Sequence, residues 1–266
     1  MTAQTLGFIG FGNLAKTLYH GFKDDLFKHN IRLLINSRSS SANTSDLPDY
    51  VSKNTVLADS DVIVIAVKPQ QLSSIMPELT AINWTNKCLV SLLAGVSLTT
   101  FKQTLPGLTH AFRVMPNTAA QFKQSMTTYS CLETTHSDYE MFITSLFSSL
   151  GSIVKIDESN MDFSTALCGS GPAFLFQLFQ DMIELAEAEG FSTQQARLMI
   201  NQIVTGVADS LNNRSEAIPT LIKEICSPKG TTEAGLDSYQ TNKLSDIWKT
   251  VFQTAKNRSE ELSKNF

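Results

Sequence analysis

The chain has 266 residues, with 21 basic and 25 acidic side chains, a formal net charge of -4 and 42% hydrophobic composition. The near-balanced charge, with no basic cluster, excludes nucleic acid or an anionic membrane surface as the main partner. No apolar run approaches the ~20 residues that cross a bilayer, and at ~100–200 residues per domain the length suits one large domain or two modest ones. The N-terminus lacks a charged-then-apolar signal pattern, so the expected location is cytoplasmic. Cys88, Cys131, Cys168 and Cys226 are dispersed and form no CxxC pair. That spacing argues against a zinc site or disulfide framework and suits a reducing compartment. His20, His29, His110 and His136 are equally scattered, and no metal site is expected.

Residues 1–158 alternate short β-rich runs with helical stretches. Strands are predicted at Leu6–Ile9, Ile31–Ile35, Val62–Val67, Lys87–Leu93, Thr109–Val114, Thr127–Cys131 and Ile153–Ile156. The continuous apolar run from Val62 to Val67 is the mark of a parallel strand covered on both faces. Ser137 followed by Glu140 predicts a capping box opening a helix through Phe142, Ile143, Leu146 and Phe147. The pattern is α/β with a largely parallel sheet. From residue 159 to 266 the strand signals vanish. Pro172 predicts the start of a helix running to Glu189 with Gly190 as its stop, Thr193–Leu211 a second, and Lys243–Leu262 another. The last carries Leu244, Ile247, Trp248, Val251, Phe252 and Ala255 on one face. These helices hold more apolar surface than a lone hairpin could hide, which predicts packing against another subunit.

Gly10-Phe11-Gly12-Asn13-Leu14-Ala15, directly after the first predicted strand Leu6-Gly7-Phe8-Ile9, is a G-x-G-x-x-A that opens a helix. Gly10 permits the tight turn, Gly12 admits a pyrophosphate to the backbone, and Ala15 allows close helix–strand packing. The second strand runs into Asn36-Ser37-Arg38 with no carboxylate to accept from a ribose 2′-hydroxyl. Arg38 can instead pair with a 2′-phosphate, assisted by Ser37 and Asn36, which favours NADP(H) and leaves NAD(H) possible; the alternative is a solvated loop arginine. Ala66-Val67-Lys68-Pro69 closes a strand at the carboxyl edge of the sheet, where ligands bind, with Lys68 either a ligand contact or a rim lysine. In the helical region, Cys168-Gly169-Ser170-Gly171-Pro172-Ala173 and Ser227-Pro228-Lys229-Gly230-Thr231-Thr232 read as glycine turns, each opening a helix. Taken singly they are ordinary helix connections. Beside a dinucleotide domain they form a cradle for a small carboxylate.

The ordered set of these motifs, with Met115-Pro116-Asn117 between them, resembles the pyrroline-5-carboxylate reductase family from residue 6 to at least residue 236. The resemblance implies a Rossmann-type dinucleotide-binding domain followed by an all-α dimerisation domain, and a homodimer or a ring of homodimers. It implies NAD(P)H-dependent reduction of 1-pyrroline-5-carboxylate to L-proline, the last step of proline biosynthesis. It assigns Thr232 to the imine nitrogen as the catalytic contact, and Ser170, Gly171, Ser227, Gly230, Thr231 and Thr232 to the substrate. Cofactor contacts would come from Ile9, Gly10, Phe11, Gly12, Asn13 and Leu14, from Asn36, Ser37, Arg38 and Asn54, from Ala66, Val67, Lys68 and Pro69, and from Leu92, Leu93, Ala94 and Asn117. Three positions depart from the family pattern: Cys168 stands for Ser, Lys229 for Gly, and Ala119 for Pro. The competing readings are a reductase of a related cyclic imine and a non-catalytic NADP(H)-binding regulatory paralogue. A β-hydroxyacid dehydrogenase is disfavoured, because no lysine follows Gly169-Ser170-Gly171 until Lys223.

Overall fold

The computed structural model describes residues 5–37 and 49–263. In chain order they form β1 (Thr5–Ile9), α1 (Asn13–Lys28), β2 (Arg32–Asn36), β3 (Asp49–Tyr50), α2 (Lys53–Asp59), β4 (Val62–Ile65), α3 (Met76–Ala81), β5 (Cys88–Ser91) and α4 (Leu98–Thr104). Then follow β6 (His110–Met115), β7 (Ser125–Cys131), α5 (Ser137–Ser148), β8 (Gly151–Lys155), α6 (Met161–Ser164), α7 (Gly171–Ala188), α8 (Thr193–Asn213), α9 (Ile218–Ile225), α10 (Thr231–Thr241) and α11 (Leu244–Ser263). Contacts group into two compact units, Met1–Ser170 with Gln253–Phe266, and Gly171–Phe252. The division falls later than the expected 158/159, and the end of the last helix returns to the first unit.

The first unit is an eight-stranded sheet in the order β3-β2-β1-β4-β5-β6-β7-β8. All neighbours are parallel except β6 and β7. The alternation of strand side chains explains the continuous apolar runs. Leu6, Phe8, Val62, Val64 and Val90 face one core with α1 and α5, whereas Ile9, Ile63, Ile65 and Leu89 face another with Trp84, Leu98 and Phe101. A sheet covered on both faces leaves no polar alternation to read.

Several local expectations are corrected. Ser137 does not cap α5: His136 does, its Nδ1 accepting from Asp138 N at 3.2 Å. Glu140 turns away to accept from Tyr129 Oη at 2.9 Å and Lys155 Nζ at 2.8 Å. The two-residue strand β3, paired with Leu34 and Ile35, carried no readable pattern. Gly169-Ser170-Gly171 is not a turn opening a helix. Residues 161–188 form one helical run in which Thr165–Ser170 is a π-helical turn between α6 and α7. Its backbone therefore belongs to a helical ladder rather than to a free N-terminus.

The second unit is built from helices alone. Only a few of its side chains, among them Ala196 and Ile200, are buried. Large apolar residues stay exposed along α7 and α8, including Phe176 (69%) and Ile203 (55%). Among the described residues no helix is long and apolar enough to cross a membrane.

Candidate active site

The carboxyl edge of β1 and β4 opens into a cavity of about 1000 Å³. Gly10, at φ +91°, turns the chain from β1 toward α1, and its N–H donates to the Asn36 carbonyl at 2.8 Å. A Cβ there would lie 2.7 Å from Val67 N and 2.8 Å from the Ala66 carbonyl oxygen, so only glycine fits. Gly12 faces open space. It is the N-cap of α1, which has no side-chain cap and no acidic residue in its first turn. The first N–H groups of α1 are thus left for an anion. A tight backbone, an open glycine and an uncapped helix fit a dinucleotide pyrophosphate.

The cavity brings together Ile9, Gly10, Phe11, Gly12, Asn36, Ser37, Ala66, Val67 and Lys68 from the expected set. Asn36 also ties the second strand to the loop beyond β3, its Nδ2 donating to Val51 O at 3.1 Å. Asn13 and Leu14 begin α1, and Pro69 opens a 3-10 turn after Lys68. Lys68 N donates to Gln71 Oε1 at 3.4 Å, fixing that turn. Leu92 and Leu93 are buried in opposite cores, which leaves their main chain, with Ala94, as the part available to a ligand. Arg38 lies outside the described residues. Asn54 is exposed on α2; its neighbour Lys53 lines the cavity instead, ion-paired with Glu78. The Lys53 ammonium holds the Glu78 carboxyl below its usual range. Gln70, Gln71, Ser74 and Ile75 complete the wall. Sequence reasoning missed them because the turn after Lys68-Pro69 has no periodicity.

Asn117 sits at the end of β6, away from that wall. Its Oδ1 accepts from Ala119 N at 3.0 Å and its Nδ2 donates to the Cys168 carbonyl at 3.0 Å. Below it on the same strand, Arg113 is 2% exposed and pairs with Asp162 at 2.6 Å, with Glu158 at 4.0 Å. Asp162 also accepts from Ser259 Oγ of α11 at 2.7 Å, and Glu158 accepts from Leu98 N at the start of α4 at 2.5 Å. Among the described residues no group of three or more His, Cys, Asp or Glu is placed to hold a metal ion.

In the second unit, Ser227 to Thr232 is a turn leading into α10. The Ser227 carbonyl accepts from Gly230 N at 2.9 Å. A Cβ on Gly230 would stand 2.3 Å from Ser227 Oγ. Gly230 is the N-cap and supplies no side chain, so the N–H groups of Thr231 and Thr232 begin α10 uncapped. Lys229 takes φ +59°, the left-handed region that glycine favours, and its N–H donates to Glu233 Oε2 at 2.6 Å.

Comparison with known proteins agrees with both units. The family described as pyrroline-5-carboxylate reductase dimerisation matches residues 158–262, and that described as NADP oxidoreductase, coenzyme F420-dependent, matches residues 5–95. Pyrroline-5-carboxylate reductase 2 of Bacillus subtilis is 29% identical over 99% of this chain and 96% of its own. The pyrroline-5-carboxylate reductase of Vibrio alginolyticus is 29% identical over the full length of both. The crystal structure of Plasmodium falciparum pyrroline carboxylate reductase with NADP bound superposes with a TM-score of 0.88 at 25% identity, covering 97% of this chain and 98% of that one. With a dinucleotide cradle in its first unit and a match over residues 158–262 to the dimerisation region described for that family, the chain is similar along its whole length to the pyrroline-5-carboxylate reductases.

Proposed function

We propose that the protein reduces 1-pyrroline-5-carboxylate to L-proline with NADPH, accepting NADH less well. The observation that carries this reading is the cradle at Gly10–Gly12, shaped for a pyrophosphate by a glycine no other residue can replace. A bound nicotinamide cofactor supplies the hydride. Ile9, Gly10, Phe11, Gly12, Asn13 and Leu14 hold its phosphates. Asn36 and Ser37 line the cavity at the end of β2, where the absence of a carboxylate in the sequence favours a 2′-phosphate, with Arg38 next in the chain as its candidate partner. Lys68, together with Lys53 and its Glu78 partner, lines or borders the same cavity.

A protonated cyclic imine is already electrophilic, so the residues need only bind and orient it. Thr231 and Thr232 offer uncapped N–H groups to its carboxylate and a hydroxyl oxygen to accept from the iminium N–H, while Glu233 in the same turn is held by the Lys229 N–H. Hydride addition to the imine carbon neutralises the iminium and yields the secondary amine of proline. The exposed apolar faces of α7 and α8 support a homodimer, with rings of dimers as a higher assembly. The four unpaired thiols suit a cytoplasmic location.

The test follows absorbance at 340 nm with pyrroline-5-carboxylate, in parallel with NADPH and NADH. Substrate-dependent oxidation, faster with NADPH, is expected. No oxidation by folded protein that binds NADPH would overturn the reading in favour of another imine or a non-catalytic paralogue. Thr232→Ala is expected to lower kcat/KM by ~10- to 100-fold, the loss of one hydrogen bond to a charged group, with an unchanged melting temperature.

A further inference from the structure

Asn117 is 8% exposed, and every polar group it carries is engaged. Its N–H donates to Ser125 Oγ at 3.1 Å, Oδ1 accepts from Ala119 N, and Nδ2 reaches the Cys168 carbonyl, 51 residues away in sequence. The amide cannot be turned over: its oxygen would then face a carbonyl and its NH2 an N–H. Cys168 lies in the π-helical turn Thr165–Ser170. Four residues after Cys168 comes Pro172, inside the helical run. Proline has no N–H, so it cannot make the α-helical bond back to the Cys168 carbonyl. Asn117 provides a donor to that carbonyl from outside the helix. Met115, two residues earlier on β6, lies against Gly169: a Cβ there would be 3.5 Å from the sulfur.

We propose that Asn117 is a positioning residue whose side-chain amide replaces the N–H missing at Pro172 and thereby holds the π-helical turn, with Gly169-Ser170-Gly171, in its catalytic shape. The proposal rests on the reductase reading, in which Ser170 and Gly171 serve the substrate. It differs from a cofactor contact at Asn117 in what it couples: the partner of the amide is a helix defect, and removing the defect removes the need for the amide.

Four variants test this: Asn117→Asp, which keeps the acceptor for Ala119 N and loses the donor; Asn117→Ala; Pro172→Ala; and the Asn117→Ala/Pro172→Ala pair. The measurements are kcat and KM for pyrroline-5-carboxylate, Kd for NADPH by fluorescence titration, melting temperature, and amide hydrogen exchange across residues 165–173. Asn117→Asp and Asn117→Ala are each expected to lower kcat about tenfold, with Kd for NADPH changed less than about twofold, and to speed exchange in that segment. In the Pro172→Ala background, where position 172 regains its N–H, Asn117→Ala is expected to cost less than about twofold in kcat and to leave exchange slow. An equal loss in both backgrounds would overturn the proposal, as would a loss residing in Kd for NADPH. If the wild type turns over no pyrroline-5-carboxylate, the reductase reading falls alone. Exchange then decides the positioning role: background-dependent protection supports it, and background-independent protection overturns it.

Discussion

Lys229 shows how a single side chain departs from local preference. A residue with a Cβ in the left-handed region costs roughly 1–2 kcal/mol relative to one without, and Lys229 takes that backbone in a turn so tight that a Cβ on the next residue, Gly230, would strike Ser227. The resemblance called for glycine where Lys229 stands, and the φ of +59° is a backbone that glycine favours. Lys229→Gly is expected to raise the melting temperature by ~1–3 °C, read by scanning calorimetry. An unchanged value would mean that the lysine stem packs well enough to offset the strain. Glu140 gives a second residue-scale outcome. The Lys155 ammonium, then the Tyr129 hydroxyl, hold its carboxyl below the ordinary glutamate range against burial, which acts the other way. A depressed carboxylate stabilises the fold above its unfolded pKa of about 4.3 and loses that contribution as pH falls through the lower folded value. Glu140→Gln is therefore expected to cost no more than about 1 kcal/mol at pH 7, with the difference closing below pH ~4 in urea titrations.

Among the elements, β6 organises more of the first unit than its six residues suggest. Arg113 in its middle is buried with its Nε unpartnered, while its Nη2 meets Asp162 at 2.6 Å. Removing one member of a buried pair leaves the other charge uncompensated, so Arg113→Ala is expected to destabilise by ~3–5 kcal/mol, measured as a lower urea midpoint with an unchanged m-value. A loss under about 1 kcal/mol would show that water takes the guanidinium's place. Nothing local announced this: Arg113 reads as one polar residue in an apolar strand, and Asp162 follows 49 residues later. The readable elements were those with period or punctuation. Val62–Ile65 was legible from its apolar run, the β1–α1 cradle from its glycines, and α11 from its spacing. The π-helical turn was not. Its glycines and proline carry the same signal as a helix start, and only the surrounding contacts, Asn117 among them, keep the chain helical through it.

For the whole molecule, the contrast between the two units sets the behaviour. The sheet buries nearly all of its apolar residues, Val154 on the edge strand β8 excepted, whereas Ile203, Val207 and Leu211 recur every fourth residue along α8 and all remain at least half exposed. Such a face is stable in water only when covered. Ile203→Glu with Val207→Glu is expected to shift the protein to the mass of one chain in sedimentation equilibrium and to abolish most activity. Retention of the wild-type mass would place the contact on other helices. One further consequence concerns synthesis. Ser259, buried on α11, bonds to Asp162 across 97 intervening steps of sequence. At 5–20 residues per second a ribosome needs roughly 5–20 s to travel that far. Throughout that interval the nascent sheet domain holds Arg113 and Asp162 without their last neighbour, so its closure waits on translation of the entire helical unit. A pause in that stretch delays both at once.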